Sequence, residues 1–217
     1  MLAVTLLLCG GVAAQSTADL IKERKQLSKL SKSELNAKAG KAAKKEAKTL
    51  KKAGWVVAPG GLPLEKQLDR WYNMQYEFDE NMFPKYMSGD ATSIGENYDA
   101  AKFQALELAK INLAGQIETE VTMLVESTLA NQQLTNEQAA SITETVGASK
   151  NLISQKIGRV IPVVECYRIK NNKNKEVRIV IAYNSAMAIQ AAKETIRQKL
   201  EAKGDKLHEQ LDKVLGF

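Results

Sequence analysis

The sequence predicts an α+β fold: a small antiparallel sheet of about three or four strands, packed by long helices, with a long basic helix near the N-terminus. Three observations carry this. Residues 159–183 hold two β-branched runs around a polar turn, the pattern of a hairpin. Residues 100–131 hold an apolar stripe at three- and four-residue spacing, led by alanines, the pattern of a helix pressed closely on a sheet. Between Asp19 and Lys52 there are twelve Lys or Arg against four Asp or Glu, with apolar residues interspersed at roughly helical spacing.

The elements follow in order. Met1–Ala14 is uncharged, holds Leu6-Leu7-Leu8 and ends in small residues. It reads as a signal peptide cut before Gln15, with Val12 and Ala14 as the small side chains the peptidase needs. The stretch is shorter than the roughly 20 apolar residues of a membrane span. A positive n-region is missing, which points to a start codon upstream. A buried N-terminal element and lipidation at Cys9 are the alternatives. Residues 17–53 form one long helix, with Thr17 as N-cap and Gly54 beyond the lysine-rich end. Its stripe of Leu20, Ile21, Leu27, Leu30, Leu35, Ala39, Ala43, Ala47 and Leu50 wanders, so a coiled coil is allowed but not demanded. Alanine in the second half implies close approach to another helix. The helix projects from the body or lies along it.

Gly54–Pro63 is a loop in which Trp55-Val56-Val57 forms a short extended piece. Pro63 opens a helix over Leu64–Asn81 with an aromatic-rich core face, Trp71 and Tyr72 included. Tyr86–Ile94 is a strand, bent at Gly89. Asn97 or Asp99 caps a helix over Ala100–Asn131, striped by Ala101, Ala105, Ala109, Leu113, Ile117, Val121 and Leu124. Thr135 caps the next, through Ile157. Arg159–Ile169 and Val177–Tyr183 are the hairpin strands around the turn Asn171–Asn174. Ser185 caps a last helix to Val214, whose charged second half extends past the body. The organisation expected is a signal peptide (1–14), a basic helical arm (15–54) and an α+β domain (55–217).

Charge is uneven. The chain is +6 overall, yet the stretch from Asp19 to Lys52 is +8, so all net basicity sits there. Such a segment is either the solvated face of a helix or a binding element for anionic lipid head groups or cell-wall polymer. Export argues against nucleic acid as the partner. With residues 1–14 removed, Cys166 is the one thiol left, in an apolar strand where a buried, inert group is expected.

Catalytic chemistry is tested and set aside. The one histidine, His208, lies on the charged end of the last helix, away from any ligand spacing for zinc. Nucleophile-elbow, P-loop and dinucleotide motifs do not occur. Glu77, Asp79 and Glu80 read as solvated surface, not as a glycosidase pair. Glu165 interrupts an apolar strand, on the face of Ile161, Val163 and Tyr167, and is expected to pair across the hairpin with Arg178. No catalytic, cofactor-binding or metal site is expected.

Ile94-Gly95, the alanine-led helix with Ala101, Ala105, Ala109 and Ala114, then Val163-Val164-Glu165-Cys166-Tyr167 and Val180-Ile181-Ala182-Tyr183, resemble in order the bacterial twenty-kilodalton lipoprotein family. They are also similar to the N-terminal domain of the flagellar T protein. The likeness spans about residues 86–200. It implies a strand leading into an alanine-rich helix, completed by a hairpin and helix, an envelope location and no enzymatic activity. This chain departs from the family in its basic helix and in lacking a good lipid-attachment cysteine. The function expected is a non-enzymatic, exported envelope protein with a structural or interaction role. The alternative is a binding module that recognises anionic envelope surfaces through the Lys22–Lys52 helix. The alanine stripe of the first helix and Leu200, Leu207, Leu211 and Val214 of the last are expected to pair, within one chain or in a homodimer.

Overall fold

A computed structural model describes Lys22, Gln26, residues 29–79, 83–130, 134–170 and 173–202, Leu207 and Leu211. Among them are five helices and three strands: α1 (Lys32–Lys52), α2 (Leu64–Gln75), β1 (Tyr86–Gly95), α3 (Tyr98–Ala130), α4 (Asn136–Lys156), β2 (Ile161–Ile169), β3 (Lys175–Asn184) and α5 (Ser185–Ala202). The sheet is antiparallel throughout, in the order β1-β3-β2. The α+β class is as the hairpin and the alanine stripe predict.

Three layers follow from the alternation along the strands. Val177, Ile179, Ile181 and Tyr183 of β3 point into a core built with α3, α4 and α5. Val180 and Ala182 point the other way, into a second core with Val163, Val164 and Cys166 of β2 and with α1 and α2. The sheet is the middle layer. α3 lies tightest on it because β1 carries glycine where the helix crosses. A Cβ on Gly89 would sit 1.9 Å from the Ala109 carbonyl oxygen, and one on Gly95 would sit 2.7 Å from the Ala101 amide nitrogen. Ala101, Ala105 and Ala109 are wholly buried there. Gly89 is thus a seat for a helix backbone, within an unbroken strand.

Several elements depart from expectation. The single helix over 17–53 does not hold: Lys29 is in a turn, Leu30 in a bend, and α1 starts afresh at Lys32. Ser31 accepts from the Glu34 amide while Glu34 returns a bond to the Ser31 amide, a capping box inside what reads as continuous helix. Thr17 lies outside the described residues. At the far end Gly54, at φ +84°, donates to Lys51 while Trp55 donates to Leu50, the paired closing bonds for which glycine is suited. α2 stops at Gln75, short of Asn81, because Phe78 and Pro84 bridge and the Asp79 side chain accepts from the Phe83 amide. Asn97 caps α3 by accepting from Ala100, and Thr135 caps α4 with Gln138 completing its box. The cap of α5 is Asn184, which accepts from Met187; Ser185 is the first helical residue and is buried. Val56 pairs with Tyr167 in two bonds of 2.8 Å, so the short extended piece adds to the outer edge of β2.

Among the described residues, the first and last helices do not pair within one chain. Ala39, Ala43 and Ala47 pack in the α1–α2 core on one face of the sheet. Leu200, Leu207 and Leu211 pack in the main core on the other. The sheet separates them. Nor does the second half of the last helix read correctly as too polar for a core: Leu211 is wholly buried. Val214 lies outside the described residues.

A lysine face on a latched helix

α1 divides its surface cleanly. Ala39, Ala43 and Ala47 recur every four residues, so they form one seam along the helix. They are buried against Leu64, Leu68, Trp71 and Tyr72. Side chains this small let the two backbones approach closely. Advancing 100° per residue, Lys41, Lys45, Lys48 and Lys52 fall opposite the seam, and Lys44 stands at the edge of that side, about 100° round from Ala43. All five are exposed, as are Lys32 and Lys51. The row from Lys41 to Lys52 runs roughly 16 Å at 1.5 Å per residue. Among the described residues no carboxylate lies within ion-pair distance of these lysines. Lys38 instead leans over the Tyr76 ring, 5.8 Å from its centroid.

One acid in the lysine run turns inward. Glu46 accepts from Arg178 at 2.7 Å and also from the Tyr72 hydroxyl. Arg178 reaches Asp90 at 2.6 Å through its other terminal nitrogen. Its side chain is 12 % exposed. Burial works against its charge, but the hydrogen bonds and charges of Asp90 and Glu46 outweigh that and hold it firmly protonated. Burial, then the bond to Glu46, pushes the Tyr72 hydroxyl up, so it stays a donor. The network joins α1, α2, β1 and β3. It latches the lysine helix to the sheet with the cations outward. Cys166 lies opposite Arg178 in the register, and burial raises its thiol to about 12. It is buried, as expected.

The cross-strand pair of Glu165 and Arg178 does not form. Arg178 stands opposite Cys166, and Glu165 stands opposite Ile179 on the other face. A register shift between Pro162 and Val164 breaks the simple alternation, which sends Val163 to the α1–α2 side. Glu165 accepts from Lys102 at 2.6 Å and from the Tyr98 hydroxyl, which tethers the start of α3. Burial and the Glu165 bond push that phenol up. A second tie fixes the end of α1: Arg168 donates to the Ala53 carbonyl at 3.2 Å and stacks 4.8 Å from Trp55. Glu176, bonded by Arg168 and Lys170, is held below its ordinary range although burial opposes this.

Glu77 is exposed and Asp79 is spent on its own loop; Glu80 and His208 lie outside the described residues. Among the described residues no three acidic, His or Cys side chains gather as a metal site, and no helix is long and apolar enough to cross a membrane. The Glu46–Asp90–Arg178 latch is the feature that sequence reasoning missed. Its signals were present: a lone glutamate bordering the alanine seam, Asp90 as the one charge in β1, and Arg178 interrupting the apolar run Val177–Tyr183.

Comparison with known proteins finds no family model, no curated protein and no solved structure that matches this chain.

Proposed function

We propose that this chain is a non-catalytic protein of the bacterial envelope that works by interaction, and that its working surface is the lysine face of α1. The observation that supports this most is the orientation of that helix. Every small apolar residue of the seam is turned in, its second glutamate is latched to Arg178, and five lysines point to solvent without a neighbouring acid among the described residues. Lysines that merely solvate a helix are usually interspersed with acids, as on α3, where Lys110 meets Glu107 at 2.9 Å. A row of one sign attracts an anionic partner instead. Export rests on Met1–Ala14 as a signal peptide, and the resemblance over residues 86–200 favours the same location.

Two measurements test this reading. The full chain is passed over immobilised polyphosphate and mixed with phosphatidylglycerol vesicles at low and moderate salt. Retention by at least one, weakening steeply with salt, is expected. Retention by neither at any salt rejects the interaction surface and leaves a purely structural role. N-terminal sequencing of the native protein should find Gln15 first; Met1 retained rejects export.

A further inference from the structure

We infer that the occupant of the lysine face is the headgroup plane of an anionic lipid bilayer, on which the chain docks without inserting; this rests on the interaction reading above. Three observations lead there. The cations are all of one kind. α1 contains eight lysines, no arginine and no aromatic residue. A lysine is a strongly hydrated point charge, whereas arginine offers a planar fork that fixes one phosphate in a set geometry. Single-stranded nucleic acid is gripped by aromatic stacking, and the exposed row has none. The face therefore answers to a field of negative charge, not to one ligand's stereochemistry.

Next, α1 has no apolar face to spare. An interfacial helix sinks its apolar side into the acyl boundary. Here that side is the alanine seam, at 0 %, 0 % and 2 % exposure, closed by α2. Trp55, at the end of the row, is buried under Arg168 and is no anchor. Docking is thus peripheral.

The third observation is rigidity. The capping box at Ser31, the closing bonds at Gly54, the Arg178 latch and the Arg168 bond to Ala53 fix both ends and the middle of the helix. The lysines form a straight, one-sided row that a flat anionic surface can meet all at once. A flexible polyanion can wrap cations in any arrangement and has no need of coplanarity.

The test uses the full chain and a variant with Lys41→Gln, Lys45→Gln, Lys48→Gln and Lys52→Gln. Far-UV circular dichroism checks that the variant folds, as exposed sites should allow. Both are sedimented with phosphatidylcholine vesicles, with and without phosphatidylglycerol. Each lysine near an anionic leaflet is worth about fivefold in partitioning. The variant should therefore partition about 100-fold or more weakly onto the phosphatidylglycerol vesicles. Brominated acyl chains should leave tryptophan fluorescence unquenched. Equal partition of the two chains, or quenching in the parent that the variant loses, overturns the inference. Retention on soluble polyphosphate without vesicle binding overturns it too, yet leaves the interaction reading standing. Binding to neither overturns both.

Discussion

Gly89 and Gly40 have opposite reasons for being glycine. At Gly89 the α3 backbone occupies the place of a side chain, with the Ala109 carbonyl oxygen 1.9 Å from a would-be Cβ. Neither backbone can yield without opening the main core. Gly89→Ala should cost about 3 kcal/mol, read as a lower urea midpoint at unchanged slope. Gly40 sits inside α1, and its Cβ would meet only the Asp69 carboxylate at 3.6 Å. Gly40→Ala should stabilise by about 0.5–1 kcal/mol, because alanine loses less backbone freedom in a helix. The same substitution with two signs checks the close approach on which the α3 layer depends. At Cys166 burial leaves too little thiolate for alkylation near neutral pH. Mass-mapped alkylation should find its peptide unmodified in the folded chain and modified once guanidinium unfolds it. Rapid modification in the folded state would mean that the α1–α2 layer is loosely closed.

The elements show what the sequence made legible. β1, α3, α4 and the β2–β3 hairpin follow from signals lying within a few residues of one another: alternation, a four-residue alanine repeat, Thr135 before an apolar stripe. The start of α1 was equally local, as Ser31-x-x-Glu34, but lysine and leucine continue on both sides and mask the break. Asn184 and Ser185 are adjacent cap formers, and propensity alone does not choose between them. The site was half legible. Its lysines were visible as a charge run, but the turning-in of Glu46 was not. Its partner Arg178 is 132 residues away, and the sequence reading pairs it with Glu165 as opposite charges on adjacent strands. The uninterrupted register from Val164 to Ile169 sets Glu165 against Ile179 and Arg178 against Cys166, so the two charges lie on opposite faces; the turn fixes that register, and neither strand alone reveals it. The capping box at Ser31 has its own test. Ser31→Ala should lower stability by about 1 kcal/mol. Native-state hydrogen exchange should show the loss in the first turn of α1 before it appears in α3.

At the scale of the molecule, two cores share one sheet, and the latch holds the smaller to the larger. Removing Arg178 strands two part-buried carboxylates, Glu46 and Asp90, side by side. Arg178→Met should therefore destabilise by about 3 kcal/mol, toward the low end for a broken buried pair because Asp90 is a third exposed. Adding Glu46→Gln and Asp90→Asn should recover part of this, since the stranded charges go with them. Full additivity of the three losses in chemical unfolding would show that the groups do not act as a network.

The central claim is that the lysine face of α1 is the surface the protein works with. Residue-resolved lysine acetylation, read by mass spectrometry on the full chain with and without phosphatidylglycerol vesicles, tests it most directly. Vesicles should slow acetylation at Lys41, Lys44, Lys45, Lys48 and Lys52 together. Lys66 on α2, Lys110 on α3 and Lys150 on α4 should react as before. Protection spread evenly over all lysines, or confined to those outside α1, would contradict the account.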